Sequence, residues 1–262
     1  MPRWAVGVLV APWLLVTASP AQRVPFREHQ LSVAGGPLLL SQRDGNASPL
    51  RYGGTVPSFQ AGYAVLTHRQ WFALRLGGGL GRLRSDLTQG NRPRQEAWRG
   101  WIETEYAHVL ITSAARTRWF LGARLAAHGT ATHHFYADPG GSEAGYTFFS
   151  AALGPMVALE RSTGVRSSVS AWLGAPVVAL LARPYLGGGF LSEGGALHVR
   201  VAALDVFQAA QLTAAYTTEI GRGTDIVLGY HAVVERYRDT QPYHFASQDL
   251  CVALQVRFGG DQ

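Results

Sequence analysis

The chain has 262 residues, 47% of them hydrophobic and 15% charged, and carries a formal net charge of +6 in which every basic residue is arginine. The single Cys251 excludes an intramolecular disulfide and any cysteine-based metal site, and nothing after the first residues offers 18 consecutive apolar positions, which argues against a helical membrane protein. The sequence pI of about 9.8 invites a nucleic-acid partner, but the arginines are scattered rather than gathered in one stretch, so no nucleic-acid partner is expected.

The N-terminus reads "MPRWAVGVLVAPWLLVTASPAQ", with one arginine, an apolar run from Trp4 to Val16 and small residues up to Ala21. That is the pattern of a secretory signal peptide over 1–21, leaving residues 22–262 as one all-β domain. The apolar run of 13 residues is short of the roughly 20 that a spanning helix needs.

Along the rest of the chain, stretches that alternate in polarity recur at 29–40, 56–67, 70–83, 96–111, 117–130, 144–160, 166–182, 204–220, 225–238 and 244–258. Ten strands follow, with eight and twelve as the bounds. The connections alternate long and short: 41–55, 84–95, 131–143 and 183–203 are long, whereas those near His68-Arg69 and at 112–116, 161–165 and 221–224 are short. Only 239–243 breaks the rhythm by being brief. Such alternation is expected of an antiparallel up-and-down barrel in a membrane, with short turns at one rim and longer loops at the other. The segment "ALHVRVAAL" within 183–203 either extends the following strand or adds a hairpin.

Each strand splits into an apolar and a polar face, because successive side chains point to opposite sides. Phe72, Leu74, Leu76 and Leu80 oppose Arg75 and three glycines; Trp119, Leu121 and Leu125 oppose Arg118, Arg124 and His128; Ile102, Thr104 and Tyr106 oppose Arg99, Trp101, Glu103 and Glu105. The apolar face is expected against lipid. The polar face then forms a lumen charge network of Arg75, Arg99, Glu103, Glu105, Arg118, Arg124, Glu160, Glu219, His231, Glu235, Asp249 and Arg257, with Arg118 and Arg124 paired to Glu103 and Glu105. Cys251 falls on the same face as a small packing residue. Phe59, Trp71, Trp98, Trp119, Tyr146, Tyr230 and Phe258, near strand ends, are candidates for interfacial girdles.

The last strand, "LCVALQVRF", places Leu250, Val252, Leu254, Val256 and Phe258 on one side. With the leader and the alternating connections, this resembles the bacterial outer-membrane β-barrel proteins of Gram-negative cells. The resemblance implies export through the periplasm to the outer membrane, and a final strand ending in an aromatic that the barrel-assembly machinery reads. The tail Gly259 to Gln262 departs from that pattern, in which the aromatic usually comes last.

Three functional readings follow. The first is a non-enzymatic, monomeric barrel without cofactor or metal, serving either as a narrow porin-like channel for small solutes or as a structural barrel plugged by lumen salt bridges. The second is binding by the loops: Arg43, Arg51, Arg82, Arg84, Arg92 and Arg94 form a basic rim suited to phosphates of lipopolysaccharide. The third is a lipid hydrolase or acyltransferase built on His133, His134, Asp138 and Ser142, or on His244 with Ser247. Residues three apart in a strand face opposite sides, which weighs against the last pair. The adjacent His133 and His134 lack a spaced third ligand for a metal.

Overall fold

A computed structural model describes residues 27–45, 50–86, 94–113, 116–135, 143–184, 197–238 and 242–259. Residues 1–21, read from the sequence as a signal peptide, lie outside this set. Twelve strand segments are present: β1 (Arg27–Asp44), β2 (Tyr52–Thr67), β3 (Gln70–Ser85), β4 (Arg94–Ser113), β5 (Thr117–Phe135), β6 (Glu143–Ser162), β7 (Ser167–Gly174), β8 (Val178–Pro184), β9 (Leu197–Ala203), β10 (Phe207–Gly221), β11 (Thr224–Tyr237) and β12 (Tyr243–Phe258). All pairings are antiparallel between neighbours, and β1 pairs with both β2 and β12, so the sheet closes on itself. Closure satisfies the backbone within the wall, the condition a spanning sheet must meet in lipid.

Ten staves form the closed wall, because two are each divided in two. The first half of β6 pairs with β8 and the second half with β7, so β7 and β8 are one stave interrupted at Ala175-Pro176-Val177. Pro176 has no N–H to give the ladder. The flanking residues hold the stave to β6 across the break, with Ala175 N–H donating to Pro155 O (3.2 Å) and Val177 N–H to Leu153 O (2.9 Å). On the other side, β10 pairs with β7 but β9 pairs with β8, with a turn at 204–206 between them. Residues 197–203, within the expected long connection 183–203, are therefore strand. They prolong the stave of β10 beyond its end, one of the two outcomes that the alternation in "ALHVRVAAL" offered.

The major strands run 14 to 20 residues, beyond the roughly 9–11 needed to cross a bilayer, so several project past the membrane at the loop end. Outward faces are apolar through the middle: Leu31, Val33, Leu76, Ile102, Leu121, Leu153, Leu173, Leu228 and Leu254 are all exposed on the barrel's outside. A continuous apolar belt of this kind is unsustainable in water and is what hydrocarbon requires. Phe59, Trp98, Trp119 and Phe258 project outward with it. Trp71 and Tyr146 do not belong to a girdle. Trp71 packs on Trp172 in the lumen, ring centroids 5.0 Å apart, and Tyr146 points inward to His134 at 5.5 Å. Position near a strand end fixed neither residue's side; strand parity did.

Gly122 on β5 is opposite Ala107 on β4. A β-carbon there would meet Tyr106 O and lie 2.6 Å from the Ala107 Cα, and backbone atoms cannot rotate away. Gly122→Val is expected to lower unfolding stability by about 1–3 kcal/mol or more, read as a fall in the denaturant midpoint of the heat-modifiable folded band. An unchanged midpoint would mean that β4 and β5 separate at no cost.

Candidate functional site

The inward faces stack three layers along the barrel axis. The inner end, where the short turns and residues Arg27 and Phe258 lie, opens into a cavity of about 400 Å³ lined by Glu28, Gln30, Gln60, Trp71, Arg118, Glu160, Trp172, Thr213, Glu219, Asp225 and Arg257 among others. Its mouth is held by ion pairs: Arg118 Nη2 lies 2.7 Å from Glu160 Oε2, Arg257 Nε 2.9 Å from Asp225 Oδ2, and Arg257 Nη2 3.5 Å from Glu219 Oε2. Arg118 thus pairs across to β6, and not with Glu103 or Glu105 as expected. It is paired in register with Glu160, whereas Glu105 on β4 is opposite Arg124, six residues further along β5 than Arg118.

The middle layer is a buried ion cluster. Arg124 Nη2 sits 2.5 Å from Glu103 Oε2 and its Nη1 3.5 Å from Glu105 Oε1; Arg75 pairs with Glu105, and its Nε is 3.8 Å from Glu103 Oε2. From the opposite wall, His231 Nε2 reaches Glu103 Oε1 at 3.4 Å. His128 bridges the lumen, 2.5 Å from Glu235 through Nδ1 and 3.4 Å from Glu103 through Nε2. Asp249 accepts hydrogen bonds from Ser58 Oγ (2.8 Å) and from Gln60. Arg99 closes the layer outward, its guanidinium 3.8 Å above the Phe245 ring. Arg75, Arg99 and Arg124 therefore stand against Glu103, Glu105, Glu235 and Asp249, a near balance that a buried ionic layer needs. Strands β2, β3, β4, β5, β11 and β12 all contribute, so the layer ties opposite walls together.

Above it the loop-end half of the lumen is packed: Leu38, Leu40, Tyr52, Val56, Leu83, Phe148, Phe207, Tyr237, Tyr243 and Phe245 form one buried cluster, and Gln42, Ser85, Gln95, Thr130 and His134 are buried on the same inward faces. Phe148 and Tyr243 stack with centroids 4.1 Å apart. One void there, between Gln42, Thr130, Thr132, Phe148 and Tyr243, is about 10 Å³, space for about one water. Arg183 is drawn in over Phe148 and Tyr237 and pairs with Asp44. The sequence faces marked these strand ends as inward, but single-strand polarity carries no information on whether inward residues from opposite walls meet.

The remaining sequence candidates separate. Cys251 lines the inner cavity. His244 lies outward while Ser247 is buried on the lumen side, so the two do not meet. His134 is buried and lies 3.1 Å from Gln95 Nε2, whereas His133 takes the opposite face. Asp138, Ser142 and Arg92 fall outside the described residues. Among the described residues, no group of three histidine, cysteine, aspartate or glutamate side chains is placed to hold a metal ion. Leu250, Val252, Leu254, Val256 and Phe258 share the outward face of β12.

The rim arginines share an arc. Arg43, Arg51, Arg82, Arg84 and Arg94 are exposed at the loop end of β1 to β4, and Arg236 and Arg238 stand exposed beside them at the end of β11. Arg236 pairs in register with His244, and His244 with Arg43. The last two arginines escaped sequence reading because β11 is far from β1 in sequence, and only closure through β12 brings them alongside.

No family model matches the chain, and no curated protein matches it. Among solved structures, it is similar to the outer membrane protease OmpT from Escherichia coli, with TM-score 0.60 and 6% identity over 88% of this chain and 97% of that one. Looser likenesses are to the Pseudomonas putida toluene transporter TodX (TM-score 0.38, 8% identity, 90% of this chain and 91% of that one). Neisserial surface protein A is another (TM-score 0.35, 10% identity, 87% and 97%). At such identities the OmpT superposition speaks to architecture alone. Taken with the apolar belt and the closed ten-stave wall, it gives this chain the fold of the outer-membrane β-barrels.

Proposed function

We propose that the protein is a non-conducting, non-enzymatic barrel of the outer membrane: a scaffold sealed toward the outside, with a blind vestibule facing the periplasm. The observation that carries this reading is the succession of a cross-lumen ion cluster and a packed half in which aromatic side chains from opposite walls meet. A porin-like path needs a continuous wet lumen, and packing at this density admits no hydrated ion. Although OmpT is a protease, the separation of His244 from Ser247 supports a barrel without a base-activated nucleophile at that pair. The chain works as a monomer, and the apolar row from Leu250 to Phe258 serves as its assembly signal.

The test is conductance of the full mature chain in planar bilayers, with heat-modifiable gel mobility establishing that the barrel is folded. Silence is the expected result. Discrete, salt-dependent steps from the folded wild-type chain would overturn the sealed reading, and peptide or lipid hydrolysis by the same preparation would overturn the non-enzymatic one.

A further inference from the structure

The loop-end arginines do not ring the barrel evenly. Arg94 on β4, Arg82 and Arg84 on β3, Arg51 beside β2, Arg43 on β1, and Arg236 and Arg238 at the end of β11 occupy one run of neighbouring strands, β4-β3-β2-β1-β12-β11. All seven are exposed. On β3 and β4 they stand outward, directly above belt residues Leu80 and Trp98, since Leu80, Arg82 and Arg84 share one strand face and Trp98, Glu96 and Arg94 another. The same parity places Arg43 above Leu39 and Arg236 above Val234.

Within this arc, like charges are neighbours. Arg84 and Arg94 are direct cross-strand partners, and Arg43 and Arg236 flank His244 on either side of β12. Antiparallel partners have β-carbons about 4.5–5.5 Å apart, and like charges so placed repel. Arg82 has an internal counter-ion, its Nε lying 3.1 Å from Glu96 Oε1. Asp86 sits at the end of the same arc, its N–H donating to Arg51 O at 3.0 Å. Among the described residues, seven guanidiniums stand against these two carboxylates, with Asp44 turned to Arg183, and leave a contiguous positive surface immediately above a low-dielectric belt. Such a surface calls for external anions held close to the membrane, and the guanidinium fork matches phosphate oxygens two at a time.

We propose that this arc binds the phosphate groups of lipopolysaccharide in the outer leaflet, with the belt below it receiving the acyl chains. Lipopolysaccharide supplies both chemistries in one molecule at this height, whereas a soluble anion would leave the adjoining apolar surface unused. The inner end also carries exposed arginines, Arg27, Arg69, Arg116, Arg161, Arg166 and Arg222 among the described residues, but no two of them are direct cross-strand partners. The site is independent of whether the lumen conducts.

The experiment titrates the full folded chain with lipopolysaccharide and follows tryptophan fluorescence, using heat-modifiable mobility to select folded protein. Arg43→Gln/Arg84→Gln/Arg236→Gln is expected to weaken binding by about tenfold or more, the loss that charge-assisted contacts of this strength predict. Dephosphorylated lipopolysaccharide should show a comparable loss against the wild-type chain, which tests phosphate recognition without any variant that must fold. Arg69→Gln/Arg166→Gln/Arg222→Gln should bind as the wild type does. Equal binding of the dephosphorylated lipid, or an equal loss from the inner-end triple variant, would overturn the proposal. Equal competition by phosphatidylglycerol vesicles would also overturn it, by showing a general attraction to anionic headgroups.

Discussion

Replacing Arg124 with methionine is expected to destabilise the folded barrel by about 3–5 kcal/mol, the cost of leaving a buried charge without its partner. Arg124 faces both Glu103 and Glu105, all three being almost wholly buried. Taking away the guanidinium strands carboxylates in the lumen, with Arg75 the remaining guanidinium beside them. A second change separates the pair's net worth from that penalty. In Arg124→Met/Glu103→Gln the charge is removed from both sides, and the loss should be well short of the sum of the two single losses, because an apolar or neutral replacement of a buried pair is often close to neutral. The measurement is the urea midpoint of the folded band for the four members of the cycle. Additive losses would show that Arg124 and Glu103 act independently, and that the middle layer is not a coupled cluster.

The second large effect concerns the belt. Leu254→Arg on β12 puts a guanidinium into the outward apolar row midway between Leu250 and Phe258, and is expected to cost about 2–4 kcal/mol. Phe258→Arg, at the end of that row, should cost about 0–1 kcal/mol from charge burial, since a side chain near the interface reaches water. The contrast matters more than either value, because a soluble barrel with the same surface would tolerate both arginines alike. Refolding each variant into vesicles and comparing denaturant midpoints gives the depth profile. Equal midpoints at positions 254 and 258 would remove the membrane assignment of this face.

The lumen charge residues illustrate what alternation can and cannot convey. Glu103, Glu105, Arg124 and Asp249 declare their side of the wall by parity alone, since a shift of one residue would carry every apolar neighbour into the lumen and every charge into lipid. Their partners are another matter. His128 meets Glu235 across 107 positions of sequence, and Arg118 meets Glu160 and not the Glu103–Glu105 pair. Tilt and register decide those meetings, and neither is written in the polarity of any one strand. Trp71 shows the same limit: a tryptophan near a strand end suits an interface, yet its parity turns it onto Trp172 inside.

The sequence by itself determined the ten staves, their antiparallel order, the lipid-facing set and the inward charges, because the period-two pattern and the alternation of short and long connections are local properties that each strand carries alone. Tertiary structure decided that side chains from opposite walls meet in the loop-end half of the lumen. It also split the staves at Pro176 and at 204–206, and joined Arg236 and Arg238 to the arginines of β1 to β4. Those outcomes depend on which residues of opposite walls arrive at one height when the sheet closes, and closure is a property of the whole barrel that no single strand encodes.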